Sequence, residues 1–282
     1  MKPRSIALRR ASDRLVKVVA TASAMIGLVA LAWILCVIVA NGASAINWTF
    51  LTHLPAPPGV AGGGLGNAIA GTVLMTGVAT LVGVPIGLLA GVFLAEFGKT
   101  SAIAPAVRFA ANVLMGTPSI LIGVFVYALV VVPMGHFSGL AGALALAMII
   151  LPVVTRTTED MLQMVPDSLR EAALALGSPR WKVTLGIVFR AAKSGLLTGI
   201  LLAVARVSGE SAPLLFTALN SPYSVRSLSQ PTANLTVTIY NYALSPYADW
   251  RQMAWGASLL ITAGVLSLMI IARLTVRGRE SW

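Results

Sequence analysis

Charge is what this sequence has least of. Only 10% of its 282 residues are Asp, Glu, Lys or Arg, against about a quarter in soluble domains. In their place 57% are hydrophobic, and the mean hydropathy is +0.87. That balance excludes a soluble globular domain and reads as an integral membrane protein embedded in lipid. Acidic residues are the scarcest, 9 against 20 basic, for a formal net charge of +11. On a soluble chain such an excess would suggest a nucleic-acid partner. Here no basic face remains once the apolar runs are set aside, so nucleic acid is excluded. The single cysteine, Cys36, cannot form an internal disulfide. His53 and His136 are far apart and lack Cys or acidic neighbours at ligand spacing, so neither a metal site nor a cofactor is expected.

What is present is long apolar runs, at about 18–40, 67–95, 109–133, 138–155, 195–219 and 253–273. Each is near the roughly 20 residues that a helix needs to cross about 30 Å of hydrocarbon. The fold class expected is therefore all-α, a polytopic bundle of six transmembrane helices, with the fourth run short enough to tilt or stop within the membrane. The first run has a basic flank and an Ala43-Ser44-Ala45 sequence that resembles a cleavage site. Its length exceeds the roughly 7–15 apolar residues of a signal peptide, which favours an uncleaved first span.

Basic residues set the orientation. They collect at Lys2, Arg4, Arg9, Arg10, Arg14 and Lys17, at Lys99 and Arg108, through Arg156 to Lys193, and at Arg273, Arg277 and Arg279. The opposite side has only Arg226 and Arg251. The positive-inside rule then makes both termini cytoplasmic. The expected organisation is a cytoplasmic segment 1–17, a six-helix domain 18–273 and a cytoplasmic tail 274–282. Outside, the stretch 47–66 reads as an irregular loop rich in Pro and Gly, and "NLTVTIYNYAL" reads as a short helix along the membrane surface. Gly83, Gly87 and Gly91 recur every four residues, a flat stripe for close helix packing within the bundle.

The cytoplasmic loop at about 156–194 is patterned. Ser168 and Glu171 have the spacing of a capping box, which predicts a helix from Ser168. Leu169, Ala172, Ala173 and Leu176 share one small apolar face. Gly177 suits the left-handed position that ends a helix, and Ser178-Pro179 suits the restart of another as cap and first residue. A helix of about two turns is unstable alone in water. It must pack either on its own bundle or on a cytoplasmic partner.

"EAALALGSPRWKVTLGI" carries the EAA motif of ABC-importer permeases at Glu171, Ala172, Ala173, Gly177 and Ile187. Many members continue with Leu-Pro where this chain has Phe189 and Arg190. Together with "GGGLGNAIAGT", "GTPSILIGVFVY" and "ARVSGESAPLLFTAL", the chain resembles the PstA-type permeases of phosphate-specific ABC transporters from its first outer loop to its last span. The resemblance implies a type I ABC importer permease fold and a non-catalytic subunit translocating inorganic phosphate. Its implied partners are a second homologous permease subunit, two copies of a cytoplasmic ABC ATPase and a periplasmic phosphate-binding protein. The EAA helix, with Glu171, Ala172, Ala173 and Gly177, would sit in a groove on the ATPase. The implied location is the bacterial inner membrane. The paired phosphate permease and a permease for another oxyanion remain nearby alternatives.

The fifth run holds the sequence's most unusual feature, Arg206 and Glu210 within "LLAVARVSGESAPLLF". Residues four apart share a helix face. A charge in mid-membrane costs about 2.5–3.5 kcal/mol on insertion scales, so neither should face lipid. One reading is an ion pair fixing helix packing; the other places both on a substrate pathway, with Glu210 positioning Arg206. A guanidinium matches phosphate oxygens with paired planar donors. Gly209 and Pro213 flank the pair and predict a kink or break. Thr117 and Ser119, beside Pro118, are expected to cap the third span.

Two further signals fail. Gly98-Lys99-Thr100 resembles the end of a P-loop, but the glycine needed five residues earlier is Phe93. "GESAP" resembles a serine elbow with Pro213 in place of its last glycine and no histidine nearby. Hydrolysis therefore belongs to another chain. An ion-coupled transporter or channel working without an ATPase, or a structural membrane subunit, gives no reason for the EAA pattern.

Overall fold

The computed structural model describes residues 6–60, 62–98 and 100–277. Lys2, Arg4, Lys99 and Arg279, used above for orientation, lie outside the described residues, as does the end of the tail. The chain is helical almost throughout: α1 (Ile6–Gly42), α2 (Trp48–Thr52), α3 (Gly66–Phe97), α4 (Ala104–Gly116), α5 (Ser119–Met134), α6 (Gly139–Gln163), α7 (Asp167–Ala175), α8 (Arg180–Ser208), α9 (Ala212–Thr217), α10 (Leu235–Ala243) and α11 (Ala248–Arg277). Five of these are long and apolar enough to cross a membrane, and the bent pair α4–α5 supplies a sixth when taken together.

α6 is the axis of the bundle. Its Leu146, Ile150 and Val154 are fully buried, and they meet Met75 and Ala79 of α3 and Val207 of α8. The glycine stripe explains how α3 comes so near. A Cβ added at Gly83 would lie 3.0 Å from the Ala147 carbonyl oxygen, one at Gly87 2.9 Å from that of Leu151, and one at Gly91 2.6 Å from that of Thr155. Side chains at these positions would force the helices apart, so the stripe is packing within the bundle, as expected. With 25 residues, α6 is long enough to span, and the fourth run is not the short element that hydropathy suggested.

α1 behaves differently. From Ser12 to Ile34 it is exposed throughout, and its described contacts with the bundle lie near its C-terminal end. There Gln252 of α11 donates to the Asn41 carbonyl at 2.8 Å and to Ser44 Oγ at 2.7 Å. α10 forms where a short helix was expected, capped by Asn234, whose side chain accepts from the Val237 N–H. It is not a free surface helix, because Leu235, Val237, Thr238 and Tyr242 are buried, the last stacked on Trp250 at 4.5 Å.

Three boundaries differ from the sequence reading for physical reasons. The third run is no single straight span: α4 and α5 meet at 106°, because Pro118 cannot continue the helix. The fifth span starts at Arg180 rather than 195, since a helix can project past the bilayer on polar residues that hydropathy ignores. It then ends at Ser208, not 219. The connection between the fourth and fifth spans is correspondingly shorter than 156–194, because α6 runs on to Gln163.

Candidate functional site

The site begins with two broken helices. Gly209 ends α8, its N–H donating to the Arg206 carbonyl at 3.3 Å, and the Glu210 N–H donates to Val207 O at 3.1 Å. α9 restarts at Ala212 with Pro213 in its first turn, where a missing N–H has no helical partner to lose. The expected break is therefore present. Pro213 rests on Gly123 of α5, so closely that a Cβ on Gly123 would fall 2.5 Å from the Pro213 Cα. The interruption after α4 and the one after α8 thus serve one region of the bundle.

This break changes the relation between the two charges. They do not share a helix face, because Glu210 lies beyond the last turn of α8. Ser119 Oγ donates to Glu210 Oε1 at 2.7 Å, and the Thr236 hydroxyl donates to the Glu210 carbonyl at 2.9 Å. Arg206 is exposed, and its side chain makes no hydrogen bond or ion pair with the described residues. The reading in which Glu210 holds Arg206 is not what this structure contains. Nor does Ser119 cap its helix: Pro118 occupies the cap position without a side-chain bond, and Thr117 Oγ1 donates back to Val113 O at 2.7 Å.

Arg206 lines a groove of about 510 Å³ between α6 and α8. Val153 and Leu202 make its apolar wall, and Thr157, Ser194 and Thr198 add hydroxyls. Gly199 is required there: a side chain on it would run into Thr157. The groove offers one unpaired cation and a line of neutral polar groups.

α7 carries the EAA sequence. It starts at Asp167, one residue before the expected cap, with Pro166 in the cap position and no side-chain cap bond; the capping box is not formed. Pro166 already ends the preceding turn, which leaves Ser168 inside the helix. Gly177 has φ +80°, the left-handed conformation expected of it. The helix restarts at Arg180, with Pro179 as its cap residue rather than its first. Of the predicted apolar face, Ala173 is buried against Leu162, Val183 and Val188 of the same bundle, whereas Leu169, Ala172 and Leu176 are exposed, as is Glu171. One side of α7 is docked and the other is free.

The docking device was not legible beforehand. Arg170 reaches Glu96 at the end of α3, with Nη2 at 3.0 Å and Nε at 3.2 Å from Oε1. It also donates to the carbonyls of Leu162 at 2.6 Å and of Val165, and pairs with Asp167 at 3.3 Å. Nearby, the buried Glu159 carboxylate accepts from Arg108 of α4 at 2.7 Å, Arg156 at 3.3 Å and Gln163 at 3.2 Å. The Arg170–Glu96 and Arg108–Glu159 pairs join residues 74 and 51 positions apart. No local spacing announces them.

Comparison with known proteins follows the geometry. The family described as "Binding-protein-dependent transport system inner membrane component" matches residues 83–280. The chain is 49% identical over 267 residues to the phosphate transport system permease protein PstA of Yersinia pestis, covering 95% of this chain and 90% of that one. It is 48% identical to PstA of Haemophilus influenzae, covering 96% of both. A probable PstA of Methanocaldococcus jannaschii is 38% identical over 272 residues, 96% of this chain and 95% of that one. Among solved structures, a chain of the inward-facing MetNI methionine ABC transporter superposes with a TM-score of 0.62 at 21% identity, covering 76% of this chain and 95% of that one. That likeness shows the fold, an ABC importer permease of the same type.

Proposed function

The chain belongs to the family of binding-protein-dependent transport system inner membrane components, and from that premise we propose that it is the permease subunit through which an ATP-driven importer moves inorganic phosphate. The relatives named for phosphate transport cover nearly its whole length. The observation that carries the reading to particular residues is Arg206, an unpartnered guanidinium lining the α6–α8 groove. A guanidinium inside an apolar span without a protein partner has its paired donors free for the oxygens of a passing anion. Glu210 sits at the same break, where it can accept from a protonated phosphate. As a carboxylate it repels the anion as well, which suits a path that must release what it binds.

The chain itself is non-catalytic. ATP is hydrolysed by two copies of a cytoplasmic ATPase, and the exposed side of α7, with Glu171 and Ala172 outward and Ala173 and Gly177 setting its seat and its end, is the surface they engage. A second homologous permease closes the open side of the groove, and a periplasmic phosphate-binding protein delivers the substrate. Both termini are cytoplasmic. The six-helix domain spans 18–273, between a cytoplasmic segment 1–17 and a tail 274–282.

The test is ATP-dependent uptake into vesicles containing the assembled complex, with radiolabelled phosphate and radiolabelled sulfate compared. Phosphate uptake that requires ATP supports the reading. Sulfate in place of phosphate would mean another oxyanion is the substrate, and uptake by this chain alone without an ATPase would overturn the importer.

A further inference from the structure

We infer that Ser119 is a positioning residue for transport: its hydroxyl holds the Glu210 carboxylate away from Arg206 and so keeps the guanidinium free for the anion. The inference rests on the reading of Arg206 as the anion-facing group.

Three observations lead to it. Arg206 and Glu210 are four residues apart, a spacing at which opposite charges meet whenever the segment between them is helical. Here they do not meet, because α8 ends at Ser208 and Glu210 instead accepts from Ser119 Oγ at 2.7 Å. Ser119 is the first residue of α5, and the start of a helix favours a negative charge beside it. The Thr236 hydroxyl at 2.9 Å from the Glu210 carbonyl fixes the backbone of the same residue from a second element. The carboxylate is thus held from α5 at its side chain and from α10 at its main chain. Without Ser119, the side chain loses its partner while Arg206, the neighbouring cation, has none. Segment 209–210 then gains by winding on and pairing the two, and a paired arginine competes poorly for phosphate.

A double-mutant cycle separates this role from simple bracing. Phosphate uptake is measured in vesicles holding the assembled complex, with co-purification of the partner subunits as the check on assembly. Ser119→Ala should lower uptake about tenfold, the loss expected when one hydrogen bond to a charged group is removed. In the Glu210→Gln background, measured relative to the uptake that variant itself retains, the same change should have almost no effect, because no carboxylate remains to capture Arg206. Ser119→Thr, which keeps the hydroxyl, should restore uptake. Ser119→Cys, nearly isosteric with a weak donor, serves the same comparison should the alanine variant not assemble. Equal uptake by Ser119→Ala and wild type would overturn the inference, as would a loss of the same size in both backgrounds. Arg206→Gln is measured alongside. Normal uptake by that variant defeats the reading of Arg206 itself, whereas an inactive Arg206→Gln beside a fully active Ser119→Ala defeats only the role of Ser119.

Discussion

Replacing Arg170 by Met should undock α7 while leaving the bundle folded. The guanidinium is only 16% exposed and its partner Glu96 13%. Methionine fills much of the volume of the arginine stem but returns none of its hydrogen bonds. Glu96 loses both of its contacts with the guanidinium, and the carbonyls of Leu162 and Val165, at and just past the end of α6, lose their donor. Breaking a largely buried pair in this way is worth about 3–5 kcal/mol. Against that, α7 has little else: nine residues, with Ala173 as its buried anchor. A helix of that length does not persist unsupported. Amide hydrogen exchange of segment 164–179 in the purified complex should therefore accelerate by more than about a hundredfold, the equivalent of about 3 kcal/mol. Exchange in α3 and α6 should change little. ATP-driven uptake should fall with it if α7 is the ATPase-engaging surface proposed above. Wild-type exchange and wild-type uptake in the Arg170→Met variant would refute the reasoning.

Other consequences follow from single contacts. Gly91→Val places side-chain atoms where Thr155 O and Thr158 already lie, and should lower stability in detergent by about 1–3 kcal/mol or more, read as an earlier thermal unfolding midpoint. Arg108→Leu leaves the buried Glu159 without its shortest pairing and should destabilise by about 3–5 kcal/mol, with much of the loss recovered in the Arg108→Leu/Glu159→Leu double variant. Gly177→Ala forces a side chain into φ +80° and should cost about 1–2 kcal/mol, concentrated in α7 and visible as faster exchange there. Thr157→Val keeps the shape that nests over Gly199 but removes a groove hydroxyl, so it should slow phosphate uptake without moving the unfolding midpoint.

The spans, the glycine stripe and the glycine turn were readable because each has a local cause. A run of apolar residues must be helical in lipid, small residues four apart lie on one face, and a left-handed turn asks for glycine. The breaks were harder to place. Pro118 and Gly209 are visible as punctuation, yet apolar residues continue on both sides, so hydropathy joined α4 to α5 and α8 to α9. Joining the latter pair also produced the error at the site itself, since Arg206 and Glu210 share a face only if the helix runs through Gly209. The true partner of Glu210 lies 91 positions away at Ser119, and that of Arg170 lies 74 away at Glu96. Such pairs are made by tertiary folding alone. The capping box failed for a nearer reason, because Pro166 already occupies the cap position that Ser168 was expected to fill.

The central claim is that phosphate passes Arg206 on its way through this subunit. Its most direct test compares ATP-dependent uptake of radiolabelled phosphate by wild-type and Arg206→Gln complexes of equal assembly in the same vesicles. The account predicts that the wild type transports and the assembled variant does not. Equal uptake by the two would contradict it and remove Arg206 from the pathway.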